Sequence, residues 1–177
     1  GMLTNLGTVS SLAGRGDYII LDKDDHASIV DGTRLSMGGK MARYNHNDMA
    51  HLEQVLAELP EKAGKLVIAD GLFSMEGDLA PVPEMAVICK KFGARLMIDD
   101  AHGMGVMGNG HGTVAHFDAT DDVDLIMATF SKAFASLGGV VAGDADVISY
   151  IKHNARALIF SARLPPANAA AALEALH

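Results

Sequence analysis

Lys132 and Asp99 are the two residues whose settings most suggest chemistry. Lys132 lies in TFSKAFASLGG, after the apolar run Asp124–Ala128 and before Gly138 and Gly139. An amine set among apolar neighbours is expected to lose hydration, which disfavours the ammonium and makes the nitrogen a better nucleophile toward an aldehyde. A solvated surface lysine is the competing reading. Asp99 ends the apolar run Arg95–Ile98. A carboxylate there is costly to bury unless it meets a cation or hydrogen-bond donors. A protonated ring nitrogen would serve, as would a helix terminus or a backbone amide. Asp100 should point to the opposite face. His102 could donate to an oxygen and His26 has a flat ring suited to stacking, although each alone fits a structural role equally well.

These residues need a scaffold that brings them together. Short apolar runs rich in β-branched residues predict strands at Tyr18–Leu21, Leu66–Ala69, Arg95–Ile98, Asp124–Ala128 and Gly139–Ala142, with a weaker one at Met41–Tyr44. The runs are continuous rather than alternating, which suits strands covered on both faces of a mostly parallel sheet. Helical patterns begin at Asp48, at Pro83 and, after an Asp144 cap, run through Ile148, Ile151 and Ala155. The alternation predicts one α/β domain with right-handed crossovers and helices on both faces of the sheet. In such sheets ligands sit beyond the carboxyl ends of the strands. Those ends carry Asp22, Asp25 and His26; Asp70 and Ser74; Asp99, Asp100 and His102; and Thr129, Ser131 and Lys132.

Composition narrows the classes. The chain has 177 residues and a formal charge of −8, which argues against a nucleic-acid partner. No apolar run reaches the length of a transmembrane segment, and no signal peptide is evident. Cys89 is the only cysteine, so no intrachain disulfide is possible. Its setting suggests a helix core and a reducing, cytoplasmic location. The ten methionines are expected to fill the core, and His46, His51, His111, His116, His153 and His177 to lie on solvated loops or helix faces. A metal site over Asp99, His102, His111 and His116 lacks the tight His spacing of a metal-binding helix. The chain opens on a helix start and stops within another helical pattern, so a piece of a longer protein is expected. Gly1-Met2 alone would also fit a cloning remnant.

Five segments in order, DDHASIVDG (Asp24–Gly32), DGLFSMEGDLAP (Asp70–Pro81), IDDAHGMGVMG (Ile98–Gly108), TFSKAFASLGG (Thr129–Gly139) and IFSARLPPA (Ile159–Ala167), resemble the α-oxoamine synthases. These are fold-type I pyridoxal 5'-phosphate enzymes, and the chain would be their large, cofactor-binding domain. The resemblance implies that Lys132 holds the cofactor as an imine and later removes the substrate α-proton. Asp99 would pair with the pyridine nitrogen and His102 with the ring hydroxyl oxygen. His26 would stack on the ring and help position the amino acid carboxylate, with Ser74 near the ring's polar edge. Thr129 and Ser131 would hold the phosphate. Gly1 and Met2 match a Gly-aromatic pair whose amides meet that phosphate, which argues against the remnant reading; Met2 replaces the aromatic. Ser161 would reach the phosphate of a neighbouring subunit, implying a homodimer with shared sites.

The reaction implied is a decarboxylative condensation of an amino acid with an acyl-CoA or acyl-carrier thioester. RYNHNDMAHLE (Arg43–Glu53), with the last two matching segments, is most like the branch that joins L-serine to a long acyl chain. Members that use glycine or alanine share most motifs. An N-terminal segment and a C-terminal small domain, with the arginine that grips the substrate carboxylate, would lie outside this chain. The 177 residues alone would then bind cofactor without turnover. A non-catalytic partner subunit of the same fold, or a metal-dependent hydrolase, are the competing readings.

Overall fold

The computed structural model describes residues 1–162 and 164–176. Arg163 of the last matching segment and His177 lie outside them. Six strands form one sheet: β1 (Tyr18–Asp22), β2 (Lys40–Tyr44), β3 (Lys65–Asp70), β4 (Arg95–Asp99), β5 (Leu125–Thr129) and β6 (Gly139–Gly143). Their order is β2-β1-β3-β4-β5-β6; all pairs are parallel except β5 with β6. Each expected strand is present, including the weak one, which is the exposed edge strand β2. The strand order reverses between β1 and β3, where such sheets open a crevice at their carboxyl ends.

Alternation along the strands sorts side chains into two cores. Ile20, Val67, Ala69, Leu96 and Ile98 pack with Leu52 and Leu56 of α3 (Met49–Glu58) and Met85, Ile88 and Cys89 of α4 (Val82–Lys91). Ile19, Leu21, Ile68, Met97 and Met127 face the other side. They pack with Val9 of α1 (Met2–Leu12), Ile29 of α2 (Ala27–Leu35) and Ile151 of α6 (Ala145–Asn154). Burying β3 over its whole length explains its continuous apolar run. Asp48 and Asp144 cap α3 and α6 through bonds from the His51 and Asp146 amides, as their positions predict. Shorter helices α5 (Thr113–His116) and α7 (Arg156–Ile159) and the helix α8 (Pro166–Glu174) complete the fold.

Two expectations are corrected, and one helix is added to those the sequence suggests. Helix α2 begins within DDHASIVDG and runs on to Leu35, although Asp31 and Gly32 weaken the helical pattern. Gly32 is favoured there because a Cβ would stand 3.0 Å from the Asn5 carbonyl oxygen and the Val9 Cβ, so any side chain would push α1 and α2 slightly apart. The methionines are not uniformly core: Met85, Met97 and Met127 are buried, but Met37 and Met75 are almost fully exposed. His46 is only partly solvated. It sits between Asp22 and Asp78, with its ring edge-on to Phe73.

Candidate active site

Strand parity decides what faces the crevice. Asp70, Asp99 and Thr129 each lie two residues beyond a side chain of the α1/α2 core, so all three turn toward that face. Asp99 is buried there. Its Oδ1 accepts the Ala101 amide at 3.1 Å and its Oδ2 accepts Asn5 Nδ2, from α1, at 2.5 Å. Asp100 turns the other way, as expected, and accepts the Thr113 amide at 2.7 Å. Gly103 and Gly112 let the 101–113 loop close over it, since a Cβ at either would lie 2.1 or 2.0 Å from its oxygens.

The helix N-termini carry the next groups. His26 caps α2, its Nδ1 accepting the Ser28 amide at 3.2 Å, while its own amide donates to Asp70 Oδ2 at 3.1 Å. The Asp70 amide donates in turn to Asp25 Oδ1 at 2.9 Å, which clips the β1–α2 turn to the end of β3. Burial, reinforced by the Asp99 charge, pushes the Asp70 carboxyl up to about 8. Burial and Asp70 likewise hold Asp25 well above the carboxylate range. His102 is partly buried; desolvation, then the Lys132 charge, hold its imidazole below the ordinary value against the pull of Asp99. Lys132 and Asp99 thus act in opposite directions on both His102 and Asp70 across the crevice.

The third group is an anion cradle. Helix α1 begins at Gly1 with no side-chain cap, leaving its first amides for a ligand. Thr129 Oγ1 donates to the Gly138 carbonyl at 3.0 Å and lies 2.9 Å from Ser131 Oγ, and the Gly1 nitrogen donates to the same carbonyl at 3.2 Å. Both hydroxyls therefore stand at the start of α1.

Lys132 corrects an expectation. Its side chain is exposed, not enclosed by apolar neighbours, and among the described residues it forms no salt bridge. Phe134, the apolar neighbour that is buried, stacks edge-on with Phe130 and turns away from solvent while Lys132 does not. Met2 and Ser74 are exposed, and among the described residues the Ser74 hydroxyl has no partner. Ser161 is exposed, donates to the Ala157 carbonyl, and shares an open groove with Leu3 and Gly138 rather than touching Thr129 or Ser131. Asn5 and Ser28 escaped the sequence reading. The one available signal was a polar amide in the first turns of α1, which carry Met2, Leu3 and Leu6. Among the described residues, Asp22, Asp24 and His46 bring three possible metal ligands within 4.8 Å of one another, but His46 and the Asn47 amide already satisfy Asp22.

An uncapped helix start with two hydroxyls suits a phosphate. A buried, oriented carboxylate suits a protonated ring nitrogen, and a free primary amine in the turn after the adjoining strand suits an aldehyde. This donor set fits pyridoxal phosphate. The chain belongs to the aminotransferase class I and II family, which it matches over residues 1–177. It is 57% identical over 178 residues to a serine palmitoyltransferase of Sphingobacterium spiritivorum, covering 100% of this chain and 44% of that protein. It is 48% identical over 181 residues to an 8-amino-7-oxononanoate synthase of Acidithiobacillus ferrooxidans, covering 99% of this chain and 45% of that one. Among solved structures, a serine palmitoyltransferase from S. paucimobilis with a bound PLP–myriocin aldimine superposes with a TM-score of 0.95. That protein is 38% identical, and the match covers 99% of this chain and 44% of it. The S. paucimobilis protein carries pyridoxal phosphate in that structure, and the chain spans less than half of the length of each of these relatives. No helix among the described residues is long and apolar enough to cross a membrane.

Proposed function

We propose that these 177 residues are the cofactor-binding large domain of an α-oxoamine synthase that condenses L-serine with a long-chain acyl thioester. The observation that carries the reading is the meeting of three groups at one sheet edge: the open start of α1 with Thr129 and Ser131, the buried Asp99, and the unpaired amine of Lys132. When bound, pyridoxal phosphate supplies a cationic ring that draws off the negative charge left by removal of an α-proton. Thr129, Ser131 and the amides following Gly1 hold its phosphate. Asp99 keeps the ring nitrogen protonated. His26 covers one face of the ring and steers the amino acid carboxylate. His102, held neutral, donates to the ring oxygen, and Ser74 lines the polar edge. Lys132 holds the cofactor through its amine and, once released, takes the α-proton.

In the reaction a carbon–carbon bond forms between the amino acid α-carbon and the acyl carbon. The thiol leaves and carbon dioxide is lost, giving a 3-keto sphingoid base. The remainder of the protein would supply the arginine for the substrate carboxylate. A second protomer would bring its Ser161-bearing segment, so the working enzyme is a homodimer, placed in the cytoplasm. The 57% relative favours serine over the glycine or alanine used by 2-amino-3-ketobutyrate ligase and 8-amino-7-oxononanoate synthase. Spectral titration of the full-length holoenzyme with the three amino acids tests the choice. Saturation at lowest concentration by serine, followed by carbon dioxide release with palmitoyl-CoA, is expected. A response to glycine or alanine alone would move the enzyme to another branch.

A further inference from the structure

A continuous hydrogen-bonded chain joins the two residues that would contact opposite parts of the cofactor ring. Asn5 is fully buried in α1, and Ser28 is 1% exposed in α2. Asn5 Nδ2 donates to Asp99 Oδ2 at 2.5 Å and to Ser28 Oγ at 2.8 Å. Ser28 Oγ lies 2.7 Å from His26 Nδ1. The proton positions along this chain follow from donor counting. An ionised carboxylate only accepts, so Asn5 must turn its NH2 toward Asp99; that group has two hydrogens, and the second goes to Ser28. Ser28 Oγ therefore accepts from Asn5 and has its own hydrogen left to give. The Ser28 amide already donates to His26 Nδ1, so that nitrogen is an acceptor twice over. The ring proton of His26 must then sit on Nε2.

We infer that Asn5 and Ser28 are positioning residues that lock His26 as its Nε2–H tautomer and tie that choice to the Asp99 carboxylate, so that His26 offers the amino acid carboxylate a donor. The inference rests on the proposed function for what His26 meets, but the proton positions stand without it. The relay also explains why a polar pair is kept in the α1/α2 contact, where two apolar side chains would pack without desolvation cost. Asn5 Oδ1 has no partner, so the amide is not there for local satisfaction; its NH2 end alone is used.

The test uses the full-length protein with 15N-labelled histidine, His26 being assigned by its loss in His26→Asn. The parent is expected to give a pyrrole-type Nε2 and a pyridine-type Nδ1, with or without cofactor. Ser28→Ala should mix the tautomers. In the holoenzyme it should weaken L-serine binding about tenfold, the size of one lost hydrogen bond, while cofactor affinity stays within about twofold. Ser28→Thr should restore both readouts, which a packing role would not require. Asn5→Asp sets a second carboxylate against Asp99 and should weaken cofactor and serine binding together. Thermal unfolding of each variant separates loss of fold from loss of the relay; if Ser28→Ala unfolds, Ser28→Cys, which keeps volume but is a poor donor, takes its place. A proton on Nδ1 in the parent, or an unchanged tautomer and serine affinity in the folded variant, overturns the inference. Failure of the full-length protein to bind pyridoxal phosphate would instead remove the proposed function and leave the nitrogen shifts as evidence on the relay.

Discussion

The ends of β4 and β5 lie side by side yet are built in opposite ways. At β4, Asp99 is buried and its two oxygens are fixed by Ala101 and Asn5. Behind it, Asp70, Asp25 and His26 interlock through backbone amides. At β5, Lys132 stands exposed in a turn held by a few bonds, the Ser136 amide to the Phe130 carbonyl and Thr129 to Gly138. That turn also contains Ala135 at φ 46°, a left-handed conformation that costs a non-glycine residue about 1–2 kcal/mol. The difference matches the two tasks proposed for these residues. A carboxylate that must face one ring nitrogen gains from being pre-oriented, because no reorganisation is then needed during reaction. An amine that must let go of the cofactor and receive a proton needs freedom to swing.

The contrast makes the two ends fail differently. The largest expected effect is from Lys132→Ala, a fall in kcat of about a thousandfold or more with fold and melting temperature unchanged, because no packing is lost. Asp99→Ala should cost both activity, by about a hundredfold, and stability, since it strands the Asn5 NH2 in a buried site. Equal stability losses in these two variants would break the comparison.

Asp70→Asn sharpens it through pH. A carboxyl raised to about 8 binds its proton more tightly in the folded state, so Asp70 lowers stability progressively from pH 4 to pH 8. Asparagine keeps an acceptor for the His26 amide and removes the titration. The variant should gain about 1–3 kcal/mol over the parent at pH 8 and nothing at pH 4, read by urea unfolding.

His46→Ala should be smaller still, about 1 kcal/mol. Desolvation lowers the His46 pKa, but the Asp22 and Asp78 bonds outweigh it, so the net shift is upward. Its stabilisation is therefore full below the unfolded value of 6.5 and is lost as pH rises through the higher folded value. The variant should differ from the parent at pH 6 and converge with it at alkaline pH.

Much of this was legible in the sequence. Continuous apolar runs announce β1, β3, β4 and β5 because burial on both faces leaves no room for alternation. The strand-end residues Asp22, Asp70, Asp99 and Thr129 follow directly from the run boundaries. What was hidden depends on tertiary contact. Helix α2 is stabilised by its packing on α1 through Gly32, a residue that by propensity argues against a helix. Asn5 and Ser28 matter only because α1 and α2 meet, and His46 only because the 71–80 loop folds back onto β1. The exposure of Lys132 was left open between two readings because neighbouring apolar letters do not say which way a turn faces.

The account turns on whether the Lys132 amine and the Asp99 carboxylate serve one ring. Full-length protein is mixed with pyridoxal phosphate, reduced with borohydride, digested and mapped by mass spectrometry, beside Lys132→Ala and Asp99→Ala. One reduced adduct per chain is expected, on Lys132, absent from Lys132→Ala and formed with weakened affinity in Asp99→Ala. Labelling spread over other lysines, or undiminished in Lys132→Ala, would contradict it.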